Sequence, residues 1–304
     1  MNKIDITSNI KAEYRELIFN IFKNNRLRRK DKQKIKSFDI DLSILNKVVS
    51  KKLNKFDKNI NFEKLILADF NYLKELTEYI DKNSKITQLS QTKKEYFYTL
   101  YSRLKKSEYV KLLDVTTCLY CNRNYIFNFT KNNKLEATAQ IDHFFDKKTY
   151  PYLAVSLYNL IPSCSTCNQR KSIKKEEIIH PFVESFDKVA KFNLKIVNSN
   201  FYYKKSGFDI SFETTNEKAL KSIEVFNLQN LYQNHKDIIL ELIQKDVIYN
   251  DSYLDELFKN YEGTLFKNKE DLQRLISGGF IEDSSINKRP LSKLIKDISE
   301  ELRL

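Results

Sequence analysis

Every cysteine in the 304-residue chain belongs to one of two C-x-x-C pairs, Cys118/Cys121 and Cys164/Cys167. Each such turn presents two thiolates on one side, and two turns together can close a tetrahedron of sulfur around Zn²⁺ with no open position. A disulfide framework suits small secreted domains and fits poorly with a chain of this length that has no other cysteine. Thiol redox chemistry needs one pair, and here there are two. The spacing therefore predicts a structural zinc site, which stabilises the fold and leaves the activity to other residues.

Charge is unevenly placed. The formal net charge is +13, yet residues 1–110 hold 25 Lys/Arg against 14 Asp/Glu, and the remainder 28 against 26. The densest run, "KNNRLRRKDKQKIK" at 23–36, contains Arg26, Arg28, Arg29 and Lys30. Such a run can neutralise several phosphates, each contact releasing counterions; a solvated helix face or a dock for an acidic protein fits it as well. No stretch reaches the 18 or so apolar residues of a membrane span. The first residues show no signal-peptide core, so the expected location is the cytoplasm.

Apolar residues recur at helical spacing through most of the first 110 positions, as in "FEKLILADFNYLKELTEYI" at 62–80. Their tyrosines read as core packing rather than as base-stacking groups. The alternation Leu194/Ile196 and Phe208/Ile210/Phe212 suggests a small antiparallel ribbon. Helical patterning resumes near 216, stops at Gly278-Gly279 and returns after Pro290. The expected organisation is a basic helical domain over 1–110, a cysteine-bearing core over 111–180, and a short β ribbon with C-terminal helices over 181–304.

Between the cysteine pairs runs "ATAQIDHFFDKKTYPYLAVSLYNLIPSCSTCNQRKS" at 137–172. It reads as a strand ending at Asp142, a loop through Lys147, Lys148 and Pro151, a second strand at "NLIP", and a helix opened by "STCNQRKS". Asp142 offers a carboxylate and Asn168 a carbonyl oxygen, ligand types that Mg²⁺ or Mn²⁺ accepts while keeping several waters. Asn168 would stand in the first turn of the helix, where free N–H groups favour phosphate. Arg170 and Lys171 add positive charge beside it. His180 reads as a turn or packing residue before Pro181, and His235 as a helix-packing residue.

This stretch resembles the ββα-metal core of the HNH endonuclease family in its four-cysteine zinc variant. On that resemblance His143 is the general base, and Asp142, just before it, is a metal ligand. Asn159 braces the loop that holds the base, and Asn168 is the second ligand of the catalytic metal. The implied fold class is α+β, a mainly helical chain around a central zinc-stapled ββα core. The implied activity is metal-dependent hydrolysis of DNA phosphodiesters, leaving 5′-phosphate and 3′-hydroxyl ends. More narrowly, "CLYCNRNYI", "DHFFDKKTYPYLAVSLYNLIPSC" and "CNQRKS" are similar to HNH subunits of prokaryotic anti-phage systems of the Septu type, which implies an ATPase partner. The alternative is a zinc-stabilised nucleic-acid-binding or assembly subunit with no catalysis of its own.

Overall fold

The computed structural model describes residues 1–28, 41–171 and 177–302. Arg29 and Lys30 lie outside the described residues, and the side chains of Arg26 and Arg28 are likewise outside the description. The chain forms two compact units. A helical unit comprises Ile4–Asp114 and Phe127–Ser163, and a cysteine unit comprises Met1–Lys3, Val115–Ile126 and Cys164–Leu304. No helix among the described residues is long and apolar enough to cross a membrane.

The helical unit runs α1 (Ser8–Arg28), α2 (Leu42–Leu53), α3 (Phe62–Leu67), α4 (Phe70–Lys82), α5 (Ser84–Thr87), α6 (Gln91–Arg103) and α7 (Lys106–Leu112). The continuous periodicity over 62–80 is broken in the structure at Ala68-Asp69. There the Asp69 carboxylate accepts the Tyr72 N–H at 2.9 Å and starts a new helix; a short acceptor at that position satisfies an N–H that the helix itself cannot. Asn61 does the same for α3 through the Lys64 N–H.

Two buried tyrosines tie the helices to the segment that carries the candidate site. The Tyr14 and Tyr109 rings meet edge-on with centroids 5.5 Å apart. The Tyr14 hydroxyl donates to the Val155 carbonyl at 2.7 Å, and the Tyr109 hydroxyl to the Leu160 carbonyl at 2.6 Å. Each buried phenol thus places its ring in apolar contact and its hydroxyl on a backbone carbonyl.

After α7 come two antiparallel hairpins, β1 (Asn128–Lys131) with β2 (Lys134–Ala137), and β3 (Gln140–His143) with β4 (Leu160–Ser163). Between β1 and β2, Asn132 and Asn133 both take left-handed backbone angles, φ 49° and 56°. Two-residue hairpin turns need that geometry, and asparagine tolerates it. Here the sequence expectation is corrected: "ATAQID" is not one strand. Ala137 closes β2, the Thr138 N–H and hydroxyl both donate to the Phe127 carbonyl, and β3 starts only at Gln140.

The cysteine unit holds α8 (Ser165–Lys171), α9 (Phe186–Val189), β5 (Lys191–Ile196), β6 (Phe208–Glu213), α10 (Glu217–Val225), α11 (Leu228–Tyr232), α12 (Lys236–Ile248), α13 (Asp251–Tyr261), α14 (Lys269–Ser277) and α15 (Ser292–Leu302). The alternating residues of 193–214 fall on β5 and β6, which pair antiparallel from Lys191↔Glu213 to Ile196↔Phe208. Gly278, at φ 76°, ends α14 in the left-handed conformation that glycine adopts without penalty. All sheets among the described residues are two-stranded, so the fold is α+β and mainly helical.

A buried ion cluster pins α15. The Lys293 ammonium lies 2.9 Å from Asp187 and 2.6 Å from Asp297, and all three side chains are almost fully buried. Asp297 also accepts the Phe192 N–H at 2.7 Å, which fastens α15 to β5. Lys293→Met is expected to destabilise the protein by about 3–5 kcal/mol, because Asp297 is left buried without its counter-charge and Asp187 is left with Lys296, 3.0 Å away. Chemical denaturation checks this, and a change below about 1 kcal/mol would contradict it.

Candidate metal centre and active site

The first cysteine pair sits on a tight turn built by its neighbours. Thr117 and Tyr125 form an isolated antiparallel bridge, and the Cys118 N–H donates to the Asn124 carbonyl at 3.0 Å. Asn122 turns the chain at φ 49°, with its N–H on the Cys118 carbonyl at 2.8 Å. The Arg123 N–H then points at Cys121 Sγ, 3.4 Å away. Asn122 is itself buried and braced: its amide donates to Thr117 Oγ1 and the Ile286 carbonyl, and accepts the Lys293 N–H. The turn is therefore held from α15 as well as from its own flanks.

The second pair, Cys164 and Cys167, flanks the start of α8, where the Asn168 N–H donates to the Cys164 carbonyl at 3.0 Å. All four sulfurs are buried and lie within 4.8 Å of one another. Cys121 Sγ and Cys164 Sγ are 3.9 Å apart. A tetrahedron with Zn–S bonds of about 2.3 Å has edges of about 3.8 Å. The four sulfurs are close enough together to hold a metal ion. Burial raises the Cys118 thiol well above its usual pKa, and the adjoining Cys118 and Cys121 sulfurs raise that of Cys167. Four clustered thiolates need a cation among them, and the donor set matches structural zinc with no position open for substrate.

The other two histidines are accounted for in this unit. His235 closes a 3₁₀ turn before α12 and accepts the Arg123 Nε–H at 3.1 Å, and burial and then the Arg123 charge lower its pKa. It therefore buttresses the knuckle turn. His180 is buried in a turn, where its Nδ1 accepts the Phe182 N–H and its carbonyl accepts the N–H groups of Val183 and Glu184.

His143 and Asp142 belong to the helical unit, at the end of β3. In the hairpin register Asp142 faces Ile161 and His143 faces Leu160. His143 Nε2 is 3.0 Å from the Ala154 carbonyl. A carbonyl only accepts, so Nε2 carries the proton, and in the neutral ring Nδ1 holds the basic lone pair. The ring packs edge-on against Tyr101, centroids 4.4 Å apart, and the Tyr101 hydroxyl donates to the Ile141 carbonyl at 3.2 Å. Burial and then the Asp142 charge push the Tyr101 pKa up to about 12, so this phenol stays protonated. No pattern in the sequence marks Tyr101 as a partner of His143, since it is one of several aromatics on α6.

Asn159 is fully buried and ties the loop between β3 and β4 to itself. Its Oδ1 accepts the Phe145 N–H at 2.6 Å, its Nδ2 donates to the Phe145 and Leu153 carbonyls, and its own carbonyl accepts the Phe144 N–H. These bonds span the residues that follow His143 and reach the turn whose next carbonyl, on Ala154, orients the imidazole. Phe144 and Phe145 add ring contacts to Phe70 on α4.

The basic residues named from the sequence have different surroundings. Lys148 and Arg170 are exposed. Lys147 is half-buried with its ammonium 4.3 Å from the centre of the Tyr101 ring, and burial lowers its pKa. Lys171 is only 3% exposed. One helical step from Arg170 turns it from solvent to the interior, which removes it from the open basic surface.

Over 84 residues the chain is 34% identical to the Septu protein PtuB of Bacillus thuringiensis. The match covers 25% of this chain and 30% of that protein, so less than a third of the relative's length is shared. No family model matches the chain, and no solved structure matches it. The chain is thus similar in part to a Septu protein and carries a buried four-cysteine cluster able to hold a metal.

Proposed function

We propose that the chain is a metal-dependent endonuclease of the HNH type that hydrolyses phosphodiester bonds in DNA, as the effector of an anti-phage system. The observation that carries this reading is the orientation of His143. An imidazole whose Nε2–H is committed to a backbone carbonyl presents a basic Nδ1, which suits proton abstraction near neutral pH.

In the proposed reaction Nδ1 of His143 takes a proton from water as its oxygen attacks phosphorus. The bond to the 3′ oxygen breaks, and that oxygen is protonated from solvent. Mg²⁺ or Mn²⁺, assigned to Asp142 and Asn168 by the HNH resemblance, would stabilise the charge on the departing oxygen. Asn159 keeps the loop closed so that the Ala154 carbonyl stays on the imidazole. Tyr101 limits the ring's rotation from the other side. Lys147, Lys148 and Arg170 contribute phosphate contacts, and the basic segment before residue 111 serves as nucleic-acid arm or partner dock. The partial likeness to PtuB supports a place in a Septu-type assembly, with an ATPase as the partner.

Purified protein incubated with supercoiled plasmid, linear duplex, single-stranded DNA and RNA tests the reading. Nicking or cutting of DNA with Mg²⁺ or Mn²⁺, and none without divalent ion, is expected. Binding without cleavage, in any of these metals and with the partner added, would leave a zinc-stabilised binding subunit.

A further inference from the structure

The β1–β2 hairpin has two unlike faces. On one, Asn128 Nδ2 donates to the Ser107 carbonyl at 2.8 Å and Ser107 Oγ donates to the Leu135 carbonyl at 2.9 Å, which ties the hairpin to α7. Pairing places Phe129 opposite Glu136 and Lys131 opposite Lys134. Because side chains alternate along a strand, these four residues share the face away from Asn128. Phe127, one step before Phe129 on that side, is 43% exposed, and Phe129 is 39% exposed.

This outer face is unfavourable for an idle surface. Like charges directly opposite on paired strands repel, yet Lys131 and Lys134 stand as cross-strand partners with no carboxylate bridging them among the described residues. Two aromatic rings, Phe127 and Phe129, are partly exposed beside them. Aromatic rings interleaved with lysines match the two surfaces of a nucleic-acid strand, base faces and phosphates. A duplex hides its base faces in the stack, so exposed rings of this kind serve an unpaired strand.

The charge continues toward His143. Lys106 opens α7 next to Ser107, whose carbonyl and hydroxyl hold the hairpin. Lys147 covers the Tyr101 ring that packs on His143. We propose that the outer face of the β1–β2 hairpin is a single-strand platform: bases stack on Phe127 and Phe129, Lys131 and Lys134 hold phosphates, and the strand passes Lys106 and Lys147 toward His143. This assignment rests on the nuclease reading and specifies the substrate as unpaired DNA.

Binding is measured with the full chain in magnesium-free buffer, by anisotropy of a labelled oligothymidylate of about a dozen nucleotides and of a duplex of equal length. Phe129 is exposed, so Phe129→Ala keeps the fold, which melting verifies. It is expected to weaken single-strand binding roughly 5- to 100-fold and to leave duplex binding within about twofold. Lys131→Ala combined with Lys134→Ala should reduce the salt slope by about 1.4 on single strands. Unchanged single-strand binding in Phe129→Ala, or an equal loss on duplex, overturns the platform. So does a Phe129→Ala variant that loses only a protein partner. Wild-type cleavage of single-stranded DNA with Mg²⁺ is scored separately. Cutting with Phe129-independent binding sinks the platform alone, and Phe129-dependent binding without cutting sinks the nuclease reading alone.

Discussion

Cys164→Ser is expected to lose most of its zinc and to melt far below the wild type, with much of the protein insoluble. Wild-type protein should hold about one zinc per chain, since four buried sulfurs form one closed tetrahedral site. Zinc bound to such sites in small peptides is worth about 10–16 kcal/mol. The whole stability of a domain is about 5–15 kcal/mol, so losing even half the metal's contribution approaches unfolding. The effect should concentrate in the cysteine unit, because the knuckle turn also holds Asn122, and through it Ile286 and Lys293. Affinity should fall in acid as protons compete for the thiolates. Elemental analysis and a melting curve decide it. Protein without zinc, or a Cys164→Ser variant as stable as wild type, would contradict the site.

The metal centre was the part most legible in the sequence, because two C-x-x-C turns constrain geometry before any packing is known. The order strand, loop, strand, helix around His143 was also readable, from short apolar runs and a polar helix start, although "ATAQID" divides between two hairpins. The "NN" of Asn132-Asn133 is a turn signal, but the short hairpin around it, residues 128–137, has no strong alternation that would mark the face of Phe129. Other features were out of reach because the sequence specifies residue types and not their depth. Nothing local distinguishes Lys171 and Lys293, which are buried, from Lys148, which is exposed. The Ala154 carbonyl that orients His143 is a backbone atom, and Tyr101 reaches the ring only through the packing of α6.

His143→Ala should cost about 10²–10⁴-fold in cleavage rate, the usual worth of a positioned general base. The residue is partly exposed, and water can satisfy the Ala154 carbonyl that its Nε2–H reaches, so stability should change by only about 1 kcal/mol. Zinc content should not change, since the four sulfurs belong to the other unit. Asn159→Ala should give a smaller rate defect together with lower stability, because it leaves the Phe145 N–H and the Leu153 carbonyl without their partner. The most direct measurement is the nicking rate of supercoiled plasmid by wild type and His143→Ala across a Mg²⁺ and Mn²⁺ titration, with both proteins checked for zinc and melting. Metal-dependent nicking by the wild type is expected, with a loss of at least about 10²-fold in the variant at every metal concentration. Equal nicking by the two proteins would contradict it.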